Sequence, residues 1–230
     1  GKKQLLSTPI KRFAEERNIR ILQPKNLKSK KFIEQLQMLE PDLQIVVAFR
    51  MLPEVVWAMP KMGTFNLHAS LLPKYRGAAP INWAIICGEV ETGCTTFFID
   101  RKIDTGKLIM QSKVSIGPDE TSGELHDRLM ENGASLVLNT VRAIQSDKVE
   151  PIVQDESMVT KAPKIYHETC EIDFNQDTKS VHNFIRGMSP YPAAWTHFEG
   201  KELKILRARP KNIKFHNCSA GSTMITQNEW

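Results

Sequence analysis

The stretch LQIVVAF, residues 43–49, is apolar at every position but Gln44. A strand without polar alternation needs cover on both faces, and that cover is normally supplied by helices flanking a parallel sheet. The neighbouring sequence offers such helices. Ser7-Thr8-Pro9 gives a hydroxyl cap with proline in the first turn, followed by Ile10, Phe13 and Ala14 on one face. IRILQP (19–24) reads as a strand, and residues 30–39 read as a helix with Phe32, Ile33, Leu36 and Leu39 inward. Pro53 opens a short helix through Trp57, TFNLH (64–68) is the next strand, and Pro80 starts a helix that runs to Gly88. This alternation predicts an α/β fold with a doubly wound, mostly parallel, Rossmann-like sheet.

The rhythm then changes. CTTFFID (94–100) and KLIMQSKVSI (107–116) read as a hairpin-like pair turning at Asp104-Thr105-Gly106. Thr121 with Glu124 makes a capping box for a long helix whose inward face is Leu125, Leu129, Leu136, Val141 and Ile144. Residues 148–166 read as a linker, 178–187 as a short helix, and AAWTHFEGKELKILRAR (193–209) as a hairpin turning at Glu199-Gly200. The expected organisation is a catalytic domain over 1–147, a linker with helix and hairpin over 148–209, and the start of a C-terminal β-barrel-like domain over 210–230. A doubly wound sheet normally opens with a strand; this chain opens in a basic loop, so its first strand is expected to be lacking.

Charge is uneven. Residues 1–31 carry a net +8 and residues 201–214 a net +5, whereas 32–200 carry −7. Two basic ends suggest a polyanion such as nucleic acid, with Lys2, Lys3, Lys74, Arg76, Arg207 and Arg209 as candidate phosphate contacts. A solvated surface that keeps the protein soluble would look the same. Cys87, Cys94, Cys170 and Cys218 are scattered without zinc-ligand spacing, so no metal is expected and a reducing, cytoplasmic setting fits. No apolar run approaches the roughly 18 residues of a membrane span, so no membrane partner is expected.

Asn66 and His68 lie two apart at the end of a strand, so their side chains share a face. In open α/β sheets that strand end is where ligands bind. Asp104, in a turn between two strands, is placed to reach the same crevice. No Ser, Cys or Lys stands beside the histidine as an activated nucleophile. The trio can instead polarise a carbonyl: an amide and an imidazolium donate to an oxygen that gains charge, and a carboxylate sustains the imidazolium. That suits acyl transfer directly to an amine. Equally, Asn66 could cap the strand, His68 be a satisfied semi-buried histidine, and Asp104 start an Asx-turn.

FNLHASLLPKYRGAAPINWAI followed by ETGCTTFFIDRKIDTGKLIMQ closely resembles the formyltransferase family that uses 10-formyltetrahydrofolate, and within it the branch acting on methionyl-tRNA. The resemblance runs from GKKQLLSTPIKRFAEE past VTKAPKI to about residue 209. It implies a formyltransferase fold with Asn66, His68 and Asp104 in the catalytic positions and Ser70, Leu71, Leu72 and Pro73 as the folate-binding segment. Phe49, Met51 and Leu52 are carried over as a further folate wall, although VVAFRMLP has Arg50 where the family commonly has glycine. The implied reaction is attack of the methionyl amine on the formyl carbon, with Asn66 and His68 stabilising the oxyanion and Asp104 assisting proton removal. The implied partners are the folate co-substrate and methionyl-initiator tRNA, with the protein a monomer. Glycinamide ribonucleotide formyltransferases usually lack the Arg76-Gly77-Ala78-Ala79-Pro80 run, whereas UDP-sugar formyltransferases and a formyltetrahydrofolate hydrolase domain look more alike. A small-molecule formyltransferase or hydrolase therefore stays open, as does a non-catalytic RNA-binding module.

Overall fold

The computed structural model describes residues 7–47, 51–211 and 218–223. Contacts divide the chain into two units, residues 1–44 with 49–63 and residues 45–48 with 64–230. The first unit contains α1 (Pro9–Glu16) and α2 (Lys30–Gln37). Thr8 and Ser29 cap them, each side-chain oxygen accepting a backbone N–H of the first turn. Beyond β1 (Gln44–Val47), which belongs to the second unit from Ile45 on, comes α3 (Glu54–Trp57). Leu27, Phe32 and Val56 form a small core with Leu22, Ile33, Leu36 and Leu52 around it.

Two expectations fail in this region. Residues 19–24 form no strand, because an extended segment is stabilised as a strand only by a ladder partner, and the described sheet ends at β1. Nor is β1 covered on both faces: Ile45 is 46% and Val47 54% exposed.

The second unit continues with β2 (Thr64–His68), the two-residue β3 (Arg76–Gly77), α4 (Pro80–Ile86), β4 (Glu91–Phe98) and β5 (Leu108–Ser115). Sheet order is β1-β2-β4-β5. The fold class is α/β as expected, but the β2–β4 and β4–β5 ladders are antiparallel. The hairpin-like pair read from the sequence accounts for the second of these; β4 meeting β2 head to tail was not foreseen. Behind the sheet lies α5 (Ser122–Gln145), started by the full Thr121–Glu124 capping box. Its buried face is Leu125, Leu129, Gly133, Leu136, Thr140 and Ile144, a spacing of three and four that matches one helical stripe. Thr140 takes the place expected for Val141. Its hydroxyl donates to the Leu136 carbonyl at 2.8 Å and meets the Thr96 hydroxyl of β4 at 2.8 Å, so both groups are satisfied inside the core.

After α5 the segment read as a linker is woven into the unit. Ile152 forms an antiparallel bridge with Leu108, and β6 (Lys161–Ala162) pairs in parallel with β3. Then follow α6 (Thr178–Met188), capped by Asp177, and the hairpin of β7 (Ala194–Phe198) and β8 (Lys201–Ile205). Its two-residue turn has φ of 49° at Glu199 and 73° at Gly200, the doubly left-handed geometry that matches strand twist. Cys170, Ile172, Ile185, Met188, Ala194 and Trp195 form its core.

Candidate functional site

β2 carries Asn66 and His68, opposite Phe97 and Thr95 of β4. The chain beyond His68 is pinned back onto the sheet. Thr95 Oγ1 donates to the Ser70 carbonyl at 2.6 Å and accepts from the Leu72 amide at 3.1 Å, while Gln111 Nε2 donates to the Leu72 carbonyl at 2.8 Å. The Ser70 hydroxyl closes the loop on itself by donating to the Lys74 carbonyl at 2.6 Å. The loop then turns through Tyr75, whose φ is 60°. That places the Tyr75 carbonyl 2.8 Å from His68 Nε2. A carbonyl only accepts, so Nε2 carries a proton and the ring presents Nδ1 to the rest of the site.

Asp104 is brought to that nitrogen. Its Oδ2 lies 3.9 Å from His68 Nδ1, with both side chains at least nine-tenths buried. This separation is too long for a hydrogen bond but short for two charges in a poorly solvated place. The same Oδ2 accepts the Gly77 amide at 2.9 Å. The sequence pairs the carboxylate with the imidazolium; in the structure the Tyr75 carbonyl orients the ring, and the Gly77 amide orients the carboxylate. Asp104 has a left-handed backbone, φ 58°, a conformation that Asp tolerates better than most residues. Two residues on, a Cβ at Gly106 would stand 1.6 Å from the Phe98 carbonyl oxygen, so this position admits only glycine without movement.

Asn66 Oδ1 is buried without a hydrogen-bond partner, a state shared among the described residues only by Asn132 Oδ1. Leaving such an atom unmet costs about 1–3 kcal/mol. With His68 on the same face of β2, that oxygen, which can only accept, marks where an N–H or O–H of a ligand would complete the site. His68 Nδ1, the Asp104 carboxylate and the backbone of the 69–77 loop thus meet through the Tyr75 carbonyl and the Gly77 amide, and Asn66 shares a strand face with His68. No cluster of three or more His, Cys, Asp or Glu suited to a metal ion occurs among the described residues.

The other sequence candidates fare differently. Leu72 is buried and Ser70 is fully enclosed with its hydroxyl engaged, so these two build the loop's shape. A Cβ at Gly93 of β4 would meet the Leu71 side chain at 2.7 Å, which places Leu71 against the sheet. Pro73 is half-buried. Leu52 belongs to the small core of the first unit and Met51 is 70% exposed. Lys2, Lys3 and Phe49 lie outside the described residues. Arg76 is not an available phosphate contact. Its side chain is only 11% exposed, and the guanidinium donates to Gln154 Oε1 at 2.7 and 3.1 Å and to both carboxylate oxygens of Glu156 at 2.9 and 3.2 Å. That pairing holds the Glu156 carboxyl below its usual range. Lys74 approaches Glu89 at 3.6 Å, Arg207 pairs with Glu124, and Arg209 is exposed.

Sequence reasoning missed three contributors. The Tyr75 carbonyl is a backbone group and carries no side-chain signal. Thr160, whose Oγ1 accepts the Tyr75 amide at 2.8 Å, and Gln154 both lie in the stretch read as linker. The neighbouring Tyr75 hydroxyl donates to Glu89 at 2.8 Å, and burial first, then that carboxylate, push the phenol well above its ordinary range.

Comparison with known proteins identifies the family. The family model for formyl transferase matches residues 1–141, and that for the formyl transferase C-terminal domain matches residues 164–230. Methionyl-tRNA formyltransferase of Bacteroides thetaiotaomicron is 56% identical over 228 residues, covering 95% of this chain and 70% of that protein. That of Flavobacterium johnsoniae is 50% identical over 224 residues, covering 96% of this chain and 71% of that protein. Among solved structures, HypX from Aquifex aeolicus in complex with tetrahydrofolic acid shares the fold with a TM-score of 0.67 at 24% identity, over 78% of this chain and 31% of that one. An N-formyltransferase from Helicobacter canadensis, solved with folinic acid and dTDP-3-aminofucose, has a TM-score of 0.67 at 22% identity, over 90% of this chain and 74% of that one. With a family model spanning well over half its length and relatives at half identity or better, the chain belongs to the formyl transferase family.

Proposed function

We propose that this chain carries the formyl-transfer site of a methionyl-tRNA formyltransferase, with Asn66, His68 and Asp104 as its catalytic residues. The observation that carries the reading is the convergence of His68 Nδ1 and the Asp104 carboxylate, 3.9 Å apart, on the face of β2 where the Asn66 side chain has an unmet polar atom. A formyl folate is the fitting co-substrate, since a buried imidazole–carboxylate pair with no activated Ser, Cys or Lys beside the histidine suits a donor that arrives already activated. When bound, that co-substrate supplies an electrophilic one-carbon carbonyl; the chain's own groups do the rest.

Asn66 offers an amide and His68 an Nδ1–H to the oxygen that gains charge as the amine adds. Removing one such donor typically lowers kcat by roughly 10²–10³. Because Nε2 is committed to the Tyr75 carbonyl, Nδ1 is the only ring nitrogen that can face the reaction. It is also the nitrogen nearest Asp104. The carboxylate therefore balances an imidazolium proton there and stands ready to take a proton from the attacking amine, directly or through one water; as the oxyanion collapses, the bond from the formyl carbon to the folate nitrogen breaks and a proton passes to that nitrogen, releasing tetrahydrofolate. Burial of the trio strengthens each of these interactions relative to water.

The exposed basic residues of the β7–β8 hairpin and the chain beyond it, Lys201, Lys204 and Arg209, are read as backbone contacts to tRNA. The test is a substrate comparison: purified protein, 10-formyltetrahydrofolate, and either methionyl-initiator tRNA or a nucleotide-linked amino sugar as acceptor. Formylation of the tRNA alone supports the proposal. Formylation of the amino sugar in preference to it moves the assignment to the sugar-modifying relatives.

A further inference from the structure

The Asp104 turn is held by a residue outside the trio. Gln154, 4% exposed, sits in the stretch between α5 and β6. Its Nε2 donates to the Asp104 carbonyl at 2.9 Å and to the Gly106 carbonyl at 2.8 Å, bracing both ends of the turn. Its Oε1 accepts Arg76 Nε at 3.1 Å and Nη2 at 2.7 Å. The orientation of this amide is fixed by its neighbours: two carbonyls can only accept and a guanidinium can only donate. All four hydrogen-bonding positions of the side chain are filled. Glu156 holds the far side of the guanidinium as a two-pronged ion pair.

The geometry points to Gln154 as a positioning residue that, through Arg76 and the Asp104–Gly106 turn, sets the Asp104 carboxylate beside His68. This role for Gln154 rests on the proposed function of the trio. Arg76 and Gly77 are adjacent in β3, so the dipeptide touches Asp104 twice: through Gln154 onto the carbonyl of Asp104, and through the Gly77 amide onto its carboxylate. A left-handed aspartate is not held by its own backbone preference. Without the brace, the turn is free to relax and carry the carboxylate away from Nδ1. Misplacement by about 1 Å costs on the order of 100-fold in rate.

Two variants separate positioning from packing. Gln154→Glu keeps the side chain's size and the Arg76 contact but opposes two carbonyls with a carboxylate oxygen. Gln154→Met keeps much of the volume, adds no charge and removes all four bonds. Both are expected to lower kcat by about 10- to 100-fold, with KM for folate and for tRNA within about twofold. The second readout needs no activity: in ¹⁵N-labelled protein the Gly77 amide proton, which bonds the Asp104 carboxylate, should move upfield and exchange faster with solvent. Arg76→Lys, which replaces the two-pronged donor with a single ammonium, should shift the same amide in the same direction, and it serves if neither Gln154 variant folds. Native kcat in a folded Gln154 variant overturns the inference, as does a Gly77 amide unchanged in shift and exchange. If the unsubstituted protein formylates no methionyl-tRNA, the proposed function fails, and the Gly77 measurement still decides whether Gln154 holds the turn.

Discussion

Gly106→Ala is the perturbation whose consequence follows most directly from the coordinates. An added Cβ would lie 1.6 Å from the Phe98 carbonyl oxygen and 2.8 Å from its carbon, where real Cβ atoms keep beyond 3.0 Å. Relief requires a relative shift of about 1.4 Å between residue 106 and the end of β4, the difference between those two oxygen distances. The ladder there is tight, with the Phe98 amide donating to the Lys107 carbonyl at 2.9 Å, so the turn should move more readily than the strand. Overpacking of this kind costs about 1–3 kcal/mol, which lowers Tm by roughly 2–12 °C in a chain of this size. Moving the Asp104 turn by more than 1 Å should lower kcat about 100-fold. The control is Gly200→Ala, where an added Cβ meets nothing within 4 Å and only the left-handed backbone, φ 73°, is strained; that costs about 1–2 kcal/mol and should leave kcat unchanged. Thermal melts with formyl transfer at saturating substrates read both effects. A Gly106→Ala protein with native kcat and native Tm would refute the reasoning.

Thr121→Ala should destabilise the fold by about 1 kcal/mol through loss of the α5 cap. Hydrogen bonds from the Thr121 backbone first, then Arg207, hold the Glu124 carboxyl down at about 2, so its contribution is present above pH 4.5 and fades as pH falls toward 2. Glu124 is half exposed, so the Arg207 share stays below about 1 kcal/mol after screening; urea unfolding of Glu124→Gln, which gives up the ionised carboxylate, should accordingly show a deficit that shrinks between pH 7 and pH 3. Leu125→Ala, at a fully buried position facing the sheet, should cost about 2.7–5 kcal/mol in the same assay. Arg209→Ala should weaken tRNA binding and flatten the slope of log affinity against log salt by about one unit, while folate KM stays as it was; an unchanged slope would make this charge a solubility feature.

The nearness of His68 and Asp104 was legible in the sequence because it follows from local patterns: the two-residue period of a strand puts Asn66 and His68 on one face, and Asp104 stands in a turn between two strands. The capping box, the β7–β8 turn and α5 were legible for the same reason, since each is a local pattern. What escaped was non-local or lay in the backbone. Nothing marks the Tyr75 carbonyl as the partner of His68, because every residue has a carbonyl. Gln154 and Thr160 lie in a stretch with no hydrophobic period, and polarity alone reads as solvent. Arg76 was read as a free cation because the charge of a residue is visible in sequence and its partner 80 positions away is not. Apolar residues alone placed Val141 on the inward face of α5, whereas the hydroxyl of Thr140, met by Leu136 and Thr96, is fully buried.

The most direct test of the account is single-turnover formyl transfer to methionyl-tRNA by Asn66→Ala and Asp104→Asn, with folate binding followed separately by titration. Under the proposed function both residues act at the reacting atoms, Asn66 through its amide N–H and Asp104 through a carboxylate 3.9 Å from His68 Nδ1. It predicts that the chemical step of Asn66→Ala slows by roughly 10²–10³ while folate affinity stays within a few-fold, and that Asp104→Asn slows the same step without weakening folate. Loss of folate affinity with an unaltered chemical step in either variant would contradict it, making that residue a binding contact and leaving transition-state stabilisation to groups elsewhere.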